Sequence, residues 1–193
     1  MNAPRCVALL IFLAAFFLAS ATPAISAEDQ PPLIPTRDVD ISYDVSRPHQ
    51  PKIRERARWS AEQHLERVDG PDKSTTIFDH RAKEITLLNP SSRTFRKLEG
   101  TPRRPPQPGA GAVLKRGSQA VIAGLGCIEW SWVEDGETHL VCTTSDGVLL
   151  RLVVDGVTIM QARSVNYGSQ AAGLFQIPSG YTPALAPEGD TGL

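Results

Sequence analysis

The chain has 193 residues, 20 Lys and Arg against 21 Asp and Glu, and 41% hydrophobic side chains. So even a balance excludes a cationic surface for nucleic acid or anionic lipid headgroups. Three cysteines exclude a four-cysteine zinc site, and aromatic residues are sparse at 6%.

The first segment, MNAPRCVALLIFLAAFFLASATPAISAEDQ, sets Arg5 before an apolar run from Cys6 to about Ala19, and small residues follow up to Ala27. That is the basic, apolar and cleavage-site order of a secretory signal peptide. The apolar run is too short to cross ~30 Å of hydrocarbon as a helix. Residues 1–27 are therefore expected to be removed, leaving a periplasmic or secreted protein of Gram-negative type with no transmembrane segment. Cys6 leaves with the leader. Loss of Arg5 leaves 19 basic side chains against 21 acidic ones, a net charge of about −2. About 165 residues remain, enough for one domain with a real core.

Residues 28–37, EDQPPLIPTR, read as a disordered, proline-rich lead-in. In DVDISYDV (38–45), Val39, Ile41, Tyr43 and Val45 alternate with polar neighbours, as in a strand with one buried face. The segment RERARWSAEQHLERVD (54–69) fits two patterns. Its composition favours helix, while Ala57, Trp59, Ala61 and Leu65 also fall on one side of a period-2 strand. Strands on both flanks favour a single strand. STTIFDHRAKEITLLNPSSRTFRKLEG divides into strands 74–79, 84–89 and 93–98, with DHRAK and NPSS as turns. TPRRPPQPGAGA cannot enter a ladder, because proline has no amide hydrogen to donate, and it splits the domain into two halves. AVLKRG (112–117) is read as one helical turn.

The second half is regular. Asp-Gly recurs at 135–136, 146–147 and 155–156, with CIEWSWV, THLVCTT, VLLRLVV and VTIMQARSVNY between or beside the pairs. Turn signals at this spacing describe an antiparallel meander. LFQIPSGYTPALAPEGDTGL closes the chain as a short edge segment and a flexible tail over 184–193.

Cys127 and Cys142 are the cysteines left after export. The two-residue spacing of a redox pair is absent, and cysteines on neighbouring strands of an exported protein are expected to be oxidised. A four-residue loop, Val133 to Gly136, would pair 132 with 137 and set Cys127 directly opposite Cys142; this register is expected. A two-residue Asp-Gly turn would place the cysteines diagonally instead. Trp130 and Trp132 point away from the face of Cys127, where they either cap a core or line an apolar groove.

No catalytic residues are predicted, and neither a metal nor a cofactor. His49, His64, His80 and His139 lie far apart, and none has the i, i+4 companion of a zinc-binding helix. The serines lack a nucleophile elbow and a linked base. GAGAVLKRG lacks the Gly-Lys-Ser/Thr ending of a phosphate loop. The arginine row at 54, 56 and 58 reads as a solvated strand face, with a partner-binding stripe as the sharper alternative.

Taken together, DVDISYDV, RARW…ERVD, TIFDHRAKEITLLNPSSRTFRKL, AGLGCIEW, VCTTSDGVLLR and FQIPSGY resemble the uncharacterised periplasmic proteins described as DUF4412-like. Those are similar in strand order to the LolA/LolB lipoprotein carriers and to RseB-type regulators. The resemblance covers about residues 36 to 183 and rests on hydrophobic and turn patterns. It implies a mainly β fold, a single curved antiparallel sheet forming an open half-barrel over 38–183, with few short helices. It also implies an apolar concave face that accepts acyl chains in the relatives. This chain departs from them in having no long amphipathic helix to serve as a lid.

Two functions are expected to compete. One is binding of a lipid, acyl chain or other apolar ligand in the concavity, lined by Tyr43, Trp59, Ile77, Leu87, Trp130, Trp132, Leu150 and Leu152. The other is a non-enzymatic cell-envelope interaction or scaffold protein with a self-filled core. A channel of roughly 300 Å³ lined by the tryptophans would favour the first.

Overall fold

The structure, a computed structural model, describes residues 30–47, 50–100 and 107–184. The expected signal peptide and most of the C-terminal tail lie outside them. Twelve strands form one open, curved sheet, as expected from the sequence. They are β1 (Val39–Val45), β2 (Ile53–Ser60), β3 (Leu65–Asp69), β4 (Thr75–Asp79), β5 (Glu84–Asn89) and β6 (Thr94–Glu99) in the first half. The second half supplies β7 (Lys115–Ile122), β8 (Leu125–Glu134), β9 (Glu137–Thr143), β10 (Leu149–Val154), β11 (Val157–Tyr167) and β12 (Thr182–Pro183). The order is β12-β6-β5-β4-β3-β2-β1-β11-β10-β9-β8-β7. Two meanders thus meet where β1 pairs with both β2 and β11. All pairs are antiparallel except β12 on β6.

Turn chemistry fixes the hairpins. Asp79 Oδ1 accepts the amides of Arg81 and Ala82 at 2.9 and 2.7 Å, and Asn89 Oδ1 accepts those of Ser91 and Ser92 at 3.0 and 3.3 Å. Side-chain oxygens of this kind stand in for a ladder acceptor and start the turn. Asp135-Gly136 and Asp155-Gly156 both have positive φ at each residue, 52° and 84° in one and 47° and 79° in the other. That is the two-residue turn whose twist suits a hairpin.

Three expectations are corrected. Residues 54–69 form two strands: Ser60 pairs with Leu65 around a turn at 61–64, where His64 takes φ 55°. Leu65 consequently lies on the face opposite Trp59. Residues 112–117 contain no helical turn; Lys115 begins the edge strand β7. Its alternation is broken by a register shift between Arg116 and Gln119, which hid the strand from a period-2 reading. Finally, Glu134 pairs with Glu137, so Cys142 faces Glu129 and the cysteines are diagonal. They are nevertheless bonded, with Cα atoms 5.5 Å apart.

The main core lies on the face carrying Val39, Ile41, Tyr43 and Val45, with Ala57, Trp59, Trp130, Val141 and Met160 beside them by register. Ile77, Leu88 and Phe175 are buried outside that cluster. Ile77 pairs with Arg67 and Thr86, which places it on the opposite face of the sheet. The segment after β11 reaches this second face: a single 3-10 turn, Ala172–Phe175, touches β3, and Arg67 Nη1 donates to the Leu174 carbonyl at 2.7 Å.

Candidate functional site: a cleft closed by the N-terminal strap

Residues 30–37 pack onto the core face. Leu33 is 8% exposed and belongs to the main cluster, and Ile34 packs against it. The expected disordered lead-in is therefore, from residue 30 onward, a strap packed on the core face, bent at Ile34, Thr36 and Arg37. Prolines at 31, 32 and 35 restrict it, since each fixes φ and limits the residue before it.

The strap is held by the β9–β10 loop. This loop is not a two-residue turn like the other Asp-Gly pairs. Thr144 N donates to Val148 O at 3.0 Å and Gly147 N to Thr144 O at 3.1 Å, a wider loop with Gly147 at φ 91°. The Thr144 hydroxyl accepts the Val148 amide at 2.9 Å and donates to Asp146 Oδ1, which orients that carboxylate. Asp146 then receives Arg37 Nε and Nη2 at 3.0 and 2.8 Å on Oδ2, and the Tyr167 hydroxyl at 3.1 Å on Oδ1. The Arg37 guanidinium lies 3.9 Å above the Tyr167 ring, a cation–π contact. Burial alone would push the Asp146 carboxyl up; hydrogen bonds from Thr144, Arg37 and Tyr167 outweigh it and hold the carboxyl below its ordinary range. The Tyr167 phenol is pushed up, first by burial and then by that carboxylate.

Backbone meets backbone at the same place. Thr36 N donates to Asp146 O at 2.9 Å. The Ile34 carbonyl oxygen sits so close to Gly147 that an added Cβ would lie 2.1 Å from it. Glycine is required here twice, for the positive φ and for the approach.

Beneath the strap remains a cavity of about 40 Å³, walled by Leu33, Ile41, Tyr43, Trp59, Leu149 and Met160. That is room for about three waters, against the ~300 Å³ of a small-molecule site. Tyr43 donates to the Leu149 carbonyl at 2.7 Å. Trp59 Nε1 is buried with no hydrogen-bond partner among the described residues, and the ring meets His80 edge-on with centroids 5.0 Å apart. Two larger hollows, about 420 and 620 Å³, lie open along the β7–β8 edge. The second reaches Trp132, but that ring is only 2% exposed and stacks on His139 at 5.2 Å.

The predicted lining residues therefore separate. Tyr43 and Trp59 wall the cavity. Trp130, Trp132 and Leu150 are buried in the main core, at 4%, 2% and 0% exposure, with Leu152 half-buried against them. Ile77 lies on the other face, and Leu87, opposite Thr76 and Arg96, is 37% exposed. Sequence reading missed Leu33, Ile34, Asp146 and Gly147. The available signal was PPLIP, an apolar pair framed by prolines. The arginine row is engaged: Arg54 with Asp44, Arg56 with Asp40, and Arg58 with Asp40 and Asp69. It is a ladder of ion pairs and not a free cationic stripe. Among the described residues, no three of His, Cys, Asp and Glu are grouped so that they could hold a metal ion, and no helix is long and apolar enough to cross a membrane.

The fold is that of an open, curved, mainly antiparallel sheet. MucB is similar with a TM-score of 0.57 at 9% identity, over 79% of this chain and 61% of MucB. The Pseudomonas aeruginosa MucA/MucB complex gives 0.52 at 15% identity, over 72% of this chain and 55% of the matched one. An uncharacterized conserved protein from Thermus thermophilus gives 0.56 at 10% identity, over 77% of this chain and 90% of that protein. The chain thus spans about three fifths or less of the MucB chains. No family model and no curated protein matches it.

Proposed function

We propose that the protein is a non-enzymatic interaction module of the cell envelope, exported and trimmed of its leader, that engages a protein partner through its apolar face. The observation carrying this reading is the occupancy of that face: own side chains and the strap fill it beside β1, leaving about 40 Å³ beneath the strap. An acyl chain has no room there unless the strap leaves. The disulfide agrees with an oxidising compartment. MucB, similar in fold, has been solved in complex with MucA, which supports a protein partner for a sheet of this kind.

Carriage of a lipid or acyl chain is the second reading, favoured by the apolar walls of the cavity and the unpartnered indole of Trp59. Native mass spectrometry and lipid extraction of the protein purified from the periplasm separate the two. The module reading expects lipid-free protein, together with a photo-cross-linker at Leu149 that traps a polypeptide in cells. A stoichiometric lipid and no trapped polypeptide would replace it with the carrier.

A further inference from the structure

The strap is a bound peptide whose sequence is known, so the contacts it makes are a specificity profile. Four features define the profile. Leu33 enters the core cluster and Ile34 packs on it. The Ile34 carbonyl lies against the bare Cα of Gly147. Thr36 N donates to the Asp146 carbonyl at 2.9 Å. Arg37 reaches the Asp146 carboxylate with two nitrogens, at 3.0 and 2.8 Å, and covers Tyr167. The two middle contacts read peptide backbone, which an acyl chain does not possess. The last reads a planar cation: two donors of one guanidinium converge on Asp146 Oδ2 while its plane lies over the Tyr167 ring, a combination that suits arginine better than an ammonium.

We infer that this cleft is a peptide-binding site that accepts, in exchange for its own strap, a segment of a partner protein with two adjacent apolar residues and an arginine three positions after the second. The inference rests on the interaction-module reading above and assigns the site and the ligand chemistry within it. The strap acts as a tethered competitor. Its attachment to β1 through Asp38 alone keeps it at high local concentration, and an incoming segment binds only the fraction of molecules in which the strap is away. A strap seated in nine molecules of ten or more weakens the apparent affinity of an outside peptide by about tenfold or more.

The test uses the mature full chain and a fluorescent peptide of the strap's sequence, QPPLIPTR, followed by anisotropy. Leu33→Asp/Ile34→Asp unseats the strap by making its apolar pair charged while leaving the sheet residues untouched. Far-UV circular dichroism and the oxidised state of the cysteines verify the fold. The unseated variant is expected to bind the peptide at least tenfold more tightly than the unaltered chain. It should reject a peptide with aspartate at both apolar positions, and lose severalfold in affinity when the peptide's arginine becomes lysine. Should the double variant not fold, Arg37→Ala in the full chain, which loosens the latch from the solvent side, must raise peptide affinity in the same direction. Equal affinity in the folded unseated and unaltered chains, or equal uptake of the aspartate peptide, overturns the inference. So does displacement of the peptide by a fatty acid with no preference for the apolar pair. Specific peptide binding without any polypeptide trapped at Leu149 in cells would leave the site standing and remove the proposed function.

Discussion

Replacing both Cys127 and Cys142 with alanine isolates what the disulfide contributes. The bond joins residues separated by 15 positions, and closing a loop of that length removes about 3 kcal/mol of freedom from the unfolded chain. Alanine is the suitable replacement because both positions are buried, at 4% and 0% exposure, and a serine hydroxyl there would need a partner. For a domain of this size about 1 kcal/mol corresponds to 2–4 °C, so the melting temperature should fall by roughly 6–12 °C.

The hairpin itself should survive. Its register is set by the Asp135-Gly136 turn and by the pairs Trp130–Val141 and Trp132–His139, not by sulfur placed diagonally across it. Thermal unfolding of the oxidised mature protein and of the double variant, with far-UV spectra at about 20 °C, where such domains are near their most stable, measures both quantities. The unaltered protein should contain no titratable thiol without reductant. An unchanged melting temperature, or a variant without β structure, would refute the view of the bond as a staple on a hairpin already specified by its turn.

Gly147→Ala places a Cβ 2.1 Å from the Ile34 carbonyl oxygen and strains a residue at φ 91°, at about 1 kcal/mol or more for the backbone alone. Proteases should then cut within 30–37 faster than in the unaltered chain, with cleavage elsewhere unchanged; equal cutting would remove the close approach as a determinant of the strap. Acid should act late. Asp146 and Asp69 are both held below the ordinary carboxyl range, their burial outweighed by hydrogen bonds from Thr144, Arg37 and Tyr167 in one and Arg67 and Thr75 in the other. A carboxyl lowered by folding contributes stability that is complete above its unfolded value and vanishes as pH falls through its folded one. Urea midpoints should therefore be insensitive to these two groups from about pH 8 to 5 and decline below about pH 4; identical midpoints for the Asp146→Asn variant and the parent at both ends would contradict it.

The sequence was most legible where one face of a strand is buried and the turn residues are local. VTIMQARSVNY was read as a strand, and β11 runs over the same Val157–Tyr167. It failed where the determinant lies elsewhere in the chain. In β4 and β5 both faces carry apolar residues, Ile77 and Leu88 on one and Phe78 and Leu87 on the other. Alternation cannot decide which is inward there, because the segment that reaches this second face, through β3 and Arg67, arrives from beyond β11. The cysteine register failed for a related reason: direct opposition is the simplest route to a disulfide, but the Asp-Gly turn imposes its own pairing and the diagonal remains within bonding distance. Leu33 has no periodic neighbour to mark it, and its latch stands 109 residues from Arg37.

A sheet needs a second layer over each apolar face, and helices supply it in most folds of mixed composition. Here the described residues contain a single 3-10 turn, and among them the segments that flank the two meanders, 30–37 and 172–183, pack against the sheet. The strap covers the core beside β1, and the segment from Ala172 to Pro183 touches the far meander at β3, through Arg67, and at its edge, where β12 pairs with β6. Segments held by a few contacts at their margins occupy the low end of a protein's range of local stabilities. Strand β1, paired along its whole length with β2 on one side and β11 on the other, occupies the high end. The division places marginally held covers over a rigid floor. The proposed interaction module would need that arrangement to admit a partner without unfolding, since the strap's contacts gather on a loop, Thr144 to Gly147, positioned by strands that do not have to move.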